Sequence, residues 1–289
     1  MYTADELLDL KLQYDTQGFV HLKNLLPRAI VAHVSAAFDA AARRAGLNAD
    51  AEPAQGKRYV DLPAILDADP VFIELADLPS LFPLLRAVVG EDIALNQTAA
   101  RLFYPGPTFT SPFHSDVADV VGVDPSHAPT FLAKVHFYFE DLSPEQGCLA
   151  FIPGSQHFPQ KHVNPHRATL AGSSAVVRVV PRAGDVVLFN THVLHMAEAN
   201  RTNRVRKSII YTYGHFWMKA YPSASPADLA QFNTNPQRQQ LFGVPLTGVA
   251  HFARRLDRLA PPTAAQRLTA GCVQVVHRLL PLHSLPPRA

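Results

Sequence analysis

Cysteine is scarce in this chain of 289 residues: Cys148 and Cys272 are the only two. They lie far apart and in no CxxC spacing, which argues against a disulfide framework or a cysteine-rich zinc site and fits a reducing cytosol with two buried thiols. Long apolar runs are missing as well. A spanning helix needs roughly 18 consecutive apolar residues, and even LFPLLRAVVG is broken by Pro83, Arg86 and Gly90. The Met1 to Lys11 stretch, MYTADELLDLK, is acidic and amphipathic and lacks the basic start and apolar run of a signal peptide. A cytoplasmic location is therefore expected. Neither sign of charge dominates, since 26 Lys+Arg against 24 Asp+Glu leave +2. No global field draws the chain to nucleic acid or to an anionic membrane, so a small-molecule substrate is the expected partner. Oligomeric state is not legible. There is no GxGxxG and no alternation of strand and helix, which argues against a doubly wound nucleotide-binding fold.

What the sequence does hold is a globular balance, 47% hydrophobic and 17% charged, together with 14 histidines. The length fits one domain over residues 1–289, in three stretches. The first, about 1–90, reads as helical: DELLDLKLQYDTQGF stops near Gly18, and Pro27 opens RAIVAHVSAAFDAAARRAG, closed by Gly46. FVHLKNLL between them suits a short strand, residues 48–70 read as a surface loop, and a helix is expected from Pro79 to Val89. The second stretch, about 91–220, consists of short β-rich runs punctuated by Pro and Gly, among them IALNQTAARLFYPG, FLAKVHFYFEDL, GCLAFIPGS and RKSIIYTYGHFW. That texture predicts a mainly β fold with flanking α-helices, built on a sandwich or jelly-roll core. The third, about 221–289, reads as a helical, Pro-rich extension.

Two histidine-bearing segments suggest a metal. SPFHSDVADV sets His114 and Asp116 two residues apart, so on an extended chain both side chains share a face. A short motif of this kind also fits a loop histidine beside a capping carboxylate. Roughly eighty residues on, GDVVLFNTHVLHMAEANRTNRVRKS offers His192 and His195. Being three apart they point to opposite faces of a strand, and spacing does not choose between them. Two imidazoles and one carboxylate form the facial set that suits non-haem Fe(II) and leaves positions open for other ligands.

In order and spacing, HSD, EDLSPEQGCLAFIPGSQH and AGDVVLFNTHVLHMAEANRTNRVRKSIIYTYG resemble the phytanoyl-CoA dioxygenase family of Fe(II)/2-oxoglutarate oxygenases. FHSD and IPGSQH are also similar to the ectoine hydroxylases. The resemblance covers roughly residues 93–217 and implies a double-stranded β-helix, or cupin-like jelly roll. In that family an Asn follows the distal iron histidine by five residues and the co-substrate arginine follows it by eleven. Asn200 and Arg206 stand at those distances from His195. The resemblance thus selects His195 over His192, giving His114, Asp116 and His195 as the catalytic metal ligands, and it selects Arg206 over Arg201 and Arg204. A guanidinium fork suits the distal carboxylate of 2-oxoglutarate, and Ser208 lies on the same strand face. Counting back eleven from Gly147 reaches His136, where the family lines its 2-oxoglutarate pocket. Lys134 shares that face, the alternative being a solvated face, and Gln97 is a candidate on the preceding strand. Ser115 and Ala197 depart from residues common in the family.

The resemblance implies hydroxylation or desaturation of a small organic substrate, with Fe(II), 2-oxoglutarate and dioxygen required and ascorbate in support. 2-Oxoglutarate would leave as succinate and carbon dioxide. Asp116 favours these outcomes over halogenation, because related halogenases lack that carboxylate. Substrate choice is expected in the 48–62 loop, in VADVVGVDPSHAP and around Trp217, with Arg58, Lys57 and Asp119 as charged candidates. A cupin-like metalloenzyme without 2-oxoglutarate, or a non-catalytic jelly-roll module, are the alternatives, and Arg206 and the metal set discriminate them.

Overall fold

A computed structural model describes residues 2–47, 58–106, 112–116, 130–159 and 169–243. Helix α1, Ala4–Gln17, starts at a capping box between Thr3 and Glu6 and stops at Gly18, whose φ of 85° ends the helix. Strand β1, Phe19–Leu22, follows at once, then α2, Arg28–Arg44, entered through Pro27. The loop expected over residues 48–70 needs correction where it is described. It contains strand β2, Tyr59–Asp61, and helix α3, Ile65–Ala68. Three residues with no buried member give β2 no readable alternation; it forms by pairing with the edge of its neighbour. Helix α4, Pro70–Ala76, was not anticipated, and it is capped by the Asp69 side chain on the Val71 N–H. Helix α5, Phe82–Val89, begins three residues later than Pro79, after a turn closed from Leu81 N–H to Leu78 O.

The β-rich runs become β3 (Ile93–Phe103), β4 (Leu132–Phe137), β5 (Leu149–Phe151), β6 (Val177–Val179), β7 (Val186–Asn190), β8 (His195–Ala197) and β9 (Arg206–His215). They form two antiparallel sheets, a large one ordered β1-β7-β4-β9-β3-β2 and a small one ordered β6-β5-β8. His114 extends the small sheet by exchanging backbone hydrogen bonds with His195. This is the jelly roll, its sheets meeting through Phe19, Phe151 and Phe189; the Phe19 and Phe151 rings stack at 4.4 Å.

Alternation on the large sheet divides its labour. Ala133, Val135, Phe137, Ile209, Tyr211 and Tyr213 face outward into a core shared with the five helices. Tyr211 and Tyr213 also donate to Phe72 O and Ala76 O, tying α4 down. The intervening residues Lys134, His136, Arg206, Ser208, Ile210 and Thr212 therefore face the small sheet. On β3 a bulge at Asn96 changes the phase: Leu95 pairs with Tyr213 and Gln97 with Thr212, so Asn96 has no partner. Ile93 and Leu95 point to the helices, while Gln97, Ala99 and Arg101 line the cavity between the sheets. After β9 come short turns and helix α6, Pro236–Leu241. The remainder of the expected C-terminal extension, 244–289, lies outside the described residues.

Candidate metal centre and cavity

Two strand ends and one loop bring His114, Asp116 and His195 together, with one ligand atom of each within 4.8 Å of the others. The Nε2 atoms of His114 and His195 stand 3.6 Å from Oδ1 and Oδ2 of Asp116, respectively. Each ring is aimed by its other nitrogen. His114 Nδ1 is 3.0 Å from Pro112 O and His195 Nδ1 is 2.9 Å from Val193 O. A carbonyl can only accept, so both Nδ1 atoms donate and both Nε2 lone pairs face Asp116, ready for a cation. Asp116 is held by its own N–H on Thr191 O, and Lys134 Nζ donates to its Oδ2 at 2.5 Å. Burial opposes its charge, but the facing His195 and Lys134 outweigh this and keep the carboxyl well below its usual range. Burial pushes His195 down to about 4, so it stays neutral at pH 7. Two imidazoles and an ionised carboxylate, with no cysteine, fit Fe(II) in an open site. His192 is elsewhere: it is buried, its Nε2 has no protein partner, and its ring lies 5.7 Å from Phe131.

Below this cluster a cavity of about 430 Å³ is lined by Gln97, Arg101, Lys134, His136, Thr212 and Arg206, among others. Arg206 is 2% exposed. Its guanidinium stands 4.4 Å over the Phe103 ring and donates to Gly147 O, leaving Nε without a protein partner. Ser208 Oγ, His136 Nδ1 and Tyr138 OH are buried and equally unpartnered. Buried polar atoms in native proteins are normally paired. A cation with hydroxyl and imidazole groups around it is therefore the donor set a carboxylate-bearing molecule would complete, and 2-oxoglutarate fits it. His136 is driven well below its ordinary value, by burial first and then by Lys134 and Arg206, so it is neutral and can donate.

Neighbouring turns fix these parts. Asn200 Nδ2 donates to Phe103 O and Arg204 O, and its Oδ1 accepts from Thr202, which shapes the turn that delivers Arg206 to β9. Gly147 has φ 71°, and a Cβ there would meet Phe103 Cε1 at 2.6 Å, so only glycine lets its carbonyl reach Arg206. Gly154, φ 77°, begins the turn whose Ser155 Oγ accepts the Leu194 N–H, next to His195.

Among the other expected site residues, Lys134 lies against Asp116, and Gln97 lines the open part of the cavity. Neither is a register partner of Arg206, which pairs with Phe103. Arg58 reaches Pro105 O, and Trp217 is exposed and stacked on His215. Lys57, Asp119 and all of VADVVGVDPSHAP lie outside the described residues. Tyr138, Arg101 and Thr212 were missed. Tyr138 stands two past His136, the alternation that would have found it.

The phytanoyl-CoA dioxygenase (PhyH) family profile matches residues 14–208. An L-proline trans-4-hydroxylase from Streptomyces griseoviridis is 24% identical over 239 residues, 74% of this chain and 88% of the relative. Among solved structures, HygX from Streptomyces hygroscopicus with nickel and 2-oxoglutarate superposes with a TM-score of 0.57 at 20% identity, covering 76% of this chain and 90% of that one. EctD from S. alaskensis with 2-oxoglutarate and 5-hydroxyectoine gives a TM-score of 0.57 at 23% identity, covering 75% and 79%. At these identities the likenesses establish the shared fold.

Proposed function

The chain belongs to the phytanoyl-CoA dioxygenase family, and from that premise we propose that it is an Fe(II)- and 2-oxoglutarate-dependent dioxygenase that hydroxylates, or desaturates, a small organic molecule. The observation that carries this reading is the placement of His114, Asp116 and His195 on the same cavity as Arg206. A cupin-like enzyme without 2-oxoglutarate would have no use for an arginine buried there with unpartnered polar atoms around it.

Bound iron and 2-oxoglutarate would supply the activation of dioxygen and the oxidant for a C–H bond, with succinate and carbon dioxide as co-products. The chain's own residues do the rest. His114, Asp116 and His195 would hold the metal, three protein ligands that suit an open Fe(II) site. Arg206, assisted by Ser208, would hold the distal carboxylate, and His136 and Tyr138 would offer donors to the oxygens nearby. Phe189, whose ring is 4.7 Å from that of His195, and Phe151 pack against that imidazole and would keep water from its side of the site. A small-molecule partner, rather than nucleic acid or membrane, and a cytoplasmic location go with this reading; among the described residues no helix is long and apolar enough to cross a membrane.

The test is a substrate screen that reads succinate formed with Fe(II), 2-oxoglutarate and ascorbate. Substrate-dependent succinate that disappears in His195→Ala supports the reading. Metal uptake without any binding of 2-oxoglutarate would replace it with the cupin-like alternative, and failure to take up Fe(II) would leave a binding module.

A further inference from the structure

Register places Gln97, Thr212, Lys134 and Phe189 in one row across β3, β9, β4 and β7. Lys134 faces Thr212, six residues along β9 from Arg206, or about 20 Å of strand at roughly 3.3 Å per residue. The two cations thus serve opposite ends of the cavity. Gln97 and Thr212 line the cavity beside Lys134, adding an amide and a hydroxyl.

Charge distinguishes Lys134 from the other cations that line the cavity among the described residues. Arg101 is neutralised by Asp61, which it grips through Nε at 2.7 Å and Nη2 at 2.8 Å. His136, kept neutral by burial, adds nothing. A divalent metal on Asp116 leaves one positive charge. The dianionic co-substrate overturns that by one, and Arg206 restores neutrality. Lys134 is left over, since the carboxylate it now touches would be committed to the metal. A half-enclosed ammonium, 18% exposed, calls for an anion of its own.

On the oxygenase reading above, we propose that Lys134, with Gln97 and Thr212, binds a carboxylate of the substrate, so that the enzyme acts on small organic acids anchored beside the metal. A negative group held at Lys134 would place the carbons next to it beside the metal site, because Nζ already touches Asp116.

The experiment uses the full chain loaded with Fe(II) and 2-oxoglutarate without oxygen, followed by the visible charge-transfer band of that complex. A panel of L-amino acids and hydroxy acids, each with its own carboxamide, is titrated calorimetrically and against the band. Expected is a set of acids that bind the wild-type protein at least about tenfold more tightly than their amides, as one charged hydrogen bond would give. Lys134→Met removes the preference while keeping the band, Lys134→Arg restores part of it, and Gln97→Ala, at an exposed position, weakens it. If no acid outbinds its amide, or if Lys134→Met still discriminates, the proposal is overturned. Loss of the band in Lys134→Met at saturating 2-oxoglutarate would overturn it too, by assigning Lys134 to metal or co-substrate. Failure of the wild-type protein to form the band is a different result, and it would remove the oxygenase reading itself.

Discussion

Arg206 and Phe103 are register partners across β9 and β3, and the guanidinium carbon stands 4.4 Å from the centroid of the ring. The ring face and the Gly147 carbonyl hold the fork in one orientation before any anion arrives. Burial lowers the Arg206 pKa from its ordinary value.

Arg206→Ala is therefore expected to raise the apparent KM for 2-oxoglutarate by about ten- to a hundredfold, since a charge-assisted hydrogen bond contributes about 1.5–3 kcal/mol. Arg206→Lys should recover only part of this, and Phe103→Leu should cost a few-fold through the lost ring contact. Succinate formation against 2-oxoglutarate concentration measures all three. An unchanged KM in Arg206→Ala would send the assignment to Arg201 or Arg204. Addition of 2-oxoglutarate should also raise the Tm of the metal-loaded wild-type protein.

His114→Ala, Asp116→Ala and His195→Ala should each remove stoichiometric Fe(II) and all activity while leaving the far-UV spectrum intact. His192→Ala should keep the metal and lose stability instead, by about 1–3 kcal/mol, because it leaves a hole beside Phe131. Metal analysis of the purified variants distinguishes the two outcomes.

His192 also sets a pH dependence. Burial pushes it down to about 4, against about 6.5 in the unfolded chain. Between those values the unfolded chain binds a proton that the folded protein does not, so this contribution is complete above about pH 6.5 and is lost as the pH falls towards 4. The Tm of the metal-free protein should drop across that window, and less steeply in His192→Phe. Equal slopes would show that His192 is accessible to protons when folded.

Gly147→Ala should be among the most damaging small changes. It places a Cβ 2.6 Å from Phe103 Cε1 at a backbone φ of 71°, a conformation that alone costs about 1 kcal/mol or more. Because Gly147 O accepts from Arg206, the apparent KM for 2-oxoglutarate should rise with the loss of Tm. A variant that loses stability with an unaltered KM would show that the carbonyl contact does not orient the arginine.

Much of the jelly roll was legible, because β4, β7 and β9 bury apolar residues at long stretches of the chain that Pro and Gly punctuate. The metal set was only half legible. Spacing marked His114 and Asp116 but left His192 and His195 equal, and the choice rested on the distance to Arg206; the structure places His195 at Asp116 and His192 away from it. What escaped depends on tertiary contact. Strand β2 exists because β3 has a free edge, and α4 is held by hydroxyls of β9 more than a hundred residues away. The contact between Lys134 and Asp116 joins a strand to a loop, and no local pattern encodes it.

The unpaired Asn96 on β3 acts as a phase marker. Helix-facing residues are Ile93 and Leu95 before it and Ala100 and Leu102 after it, so the extra residue shifts the parity while both halves stay in register with β9, and it frees its own carbonyl to accept the Tyr221 N–H and its amide to donate to Lys219 O. Because Leu95 and Gln97 already pair with the adjacent Tyr213 and Thr212, deleting Asn96 would leave Gln97, Ala99 and Arg101 on the cavity and would instead release the Lys219–Tyr221 turn, whose Tyr221 also lines it. In a lineage that explores new substrates, gain or loss of a single codon at this point would therefore rework the edge of the pocket and spare its wall.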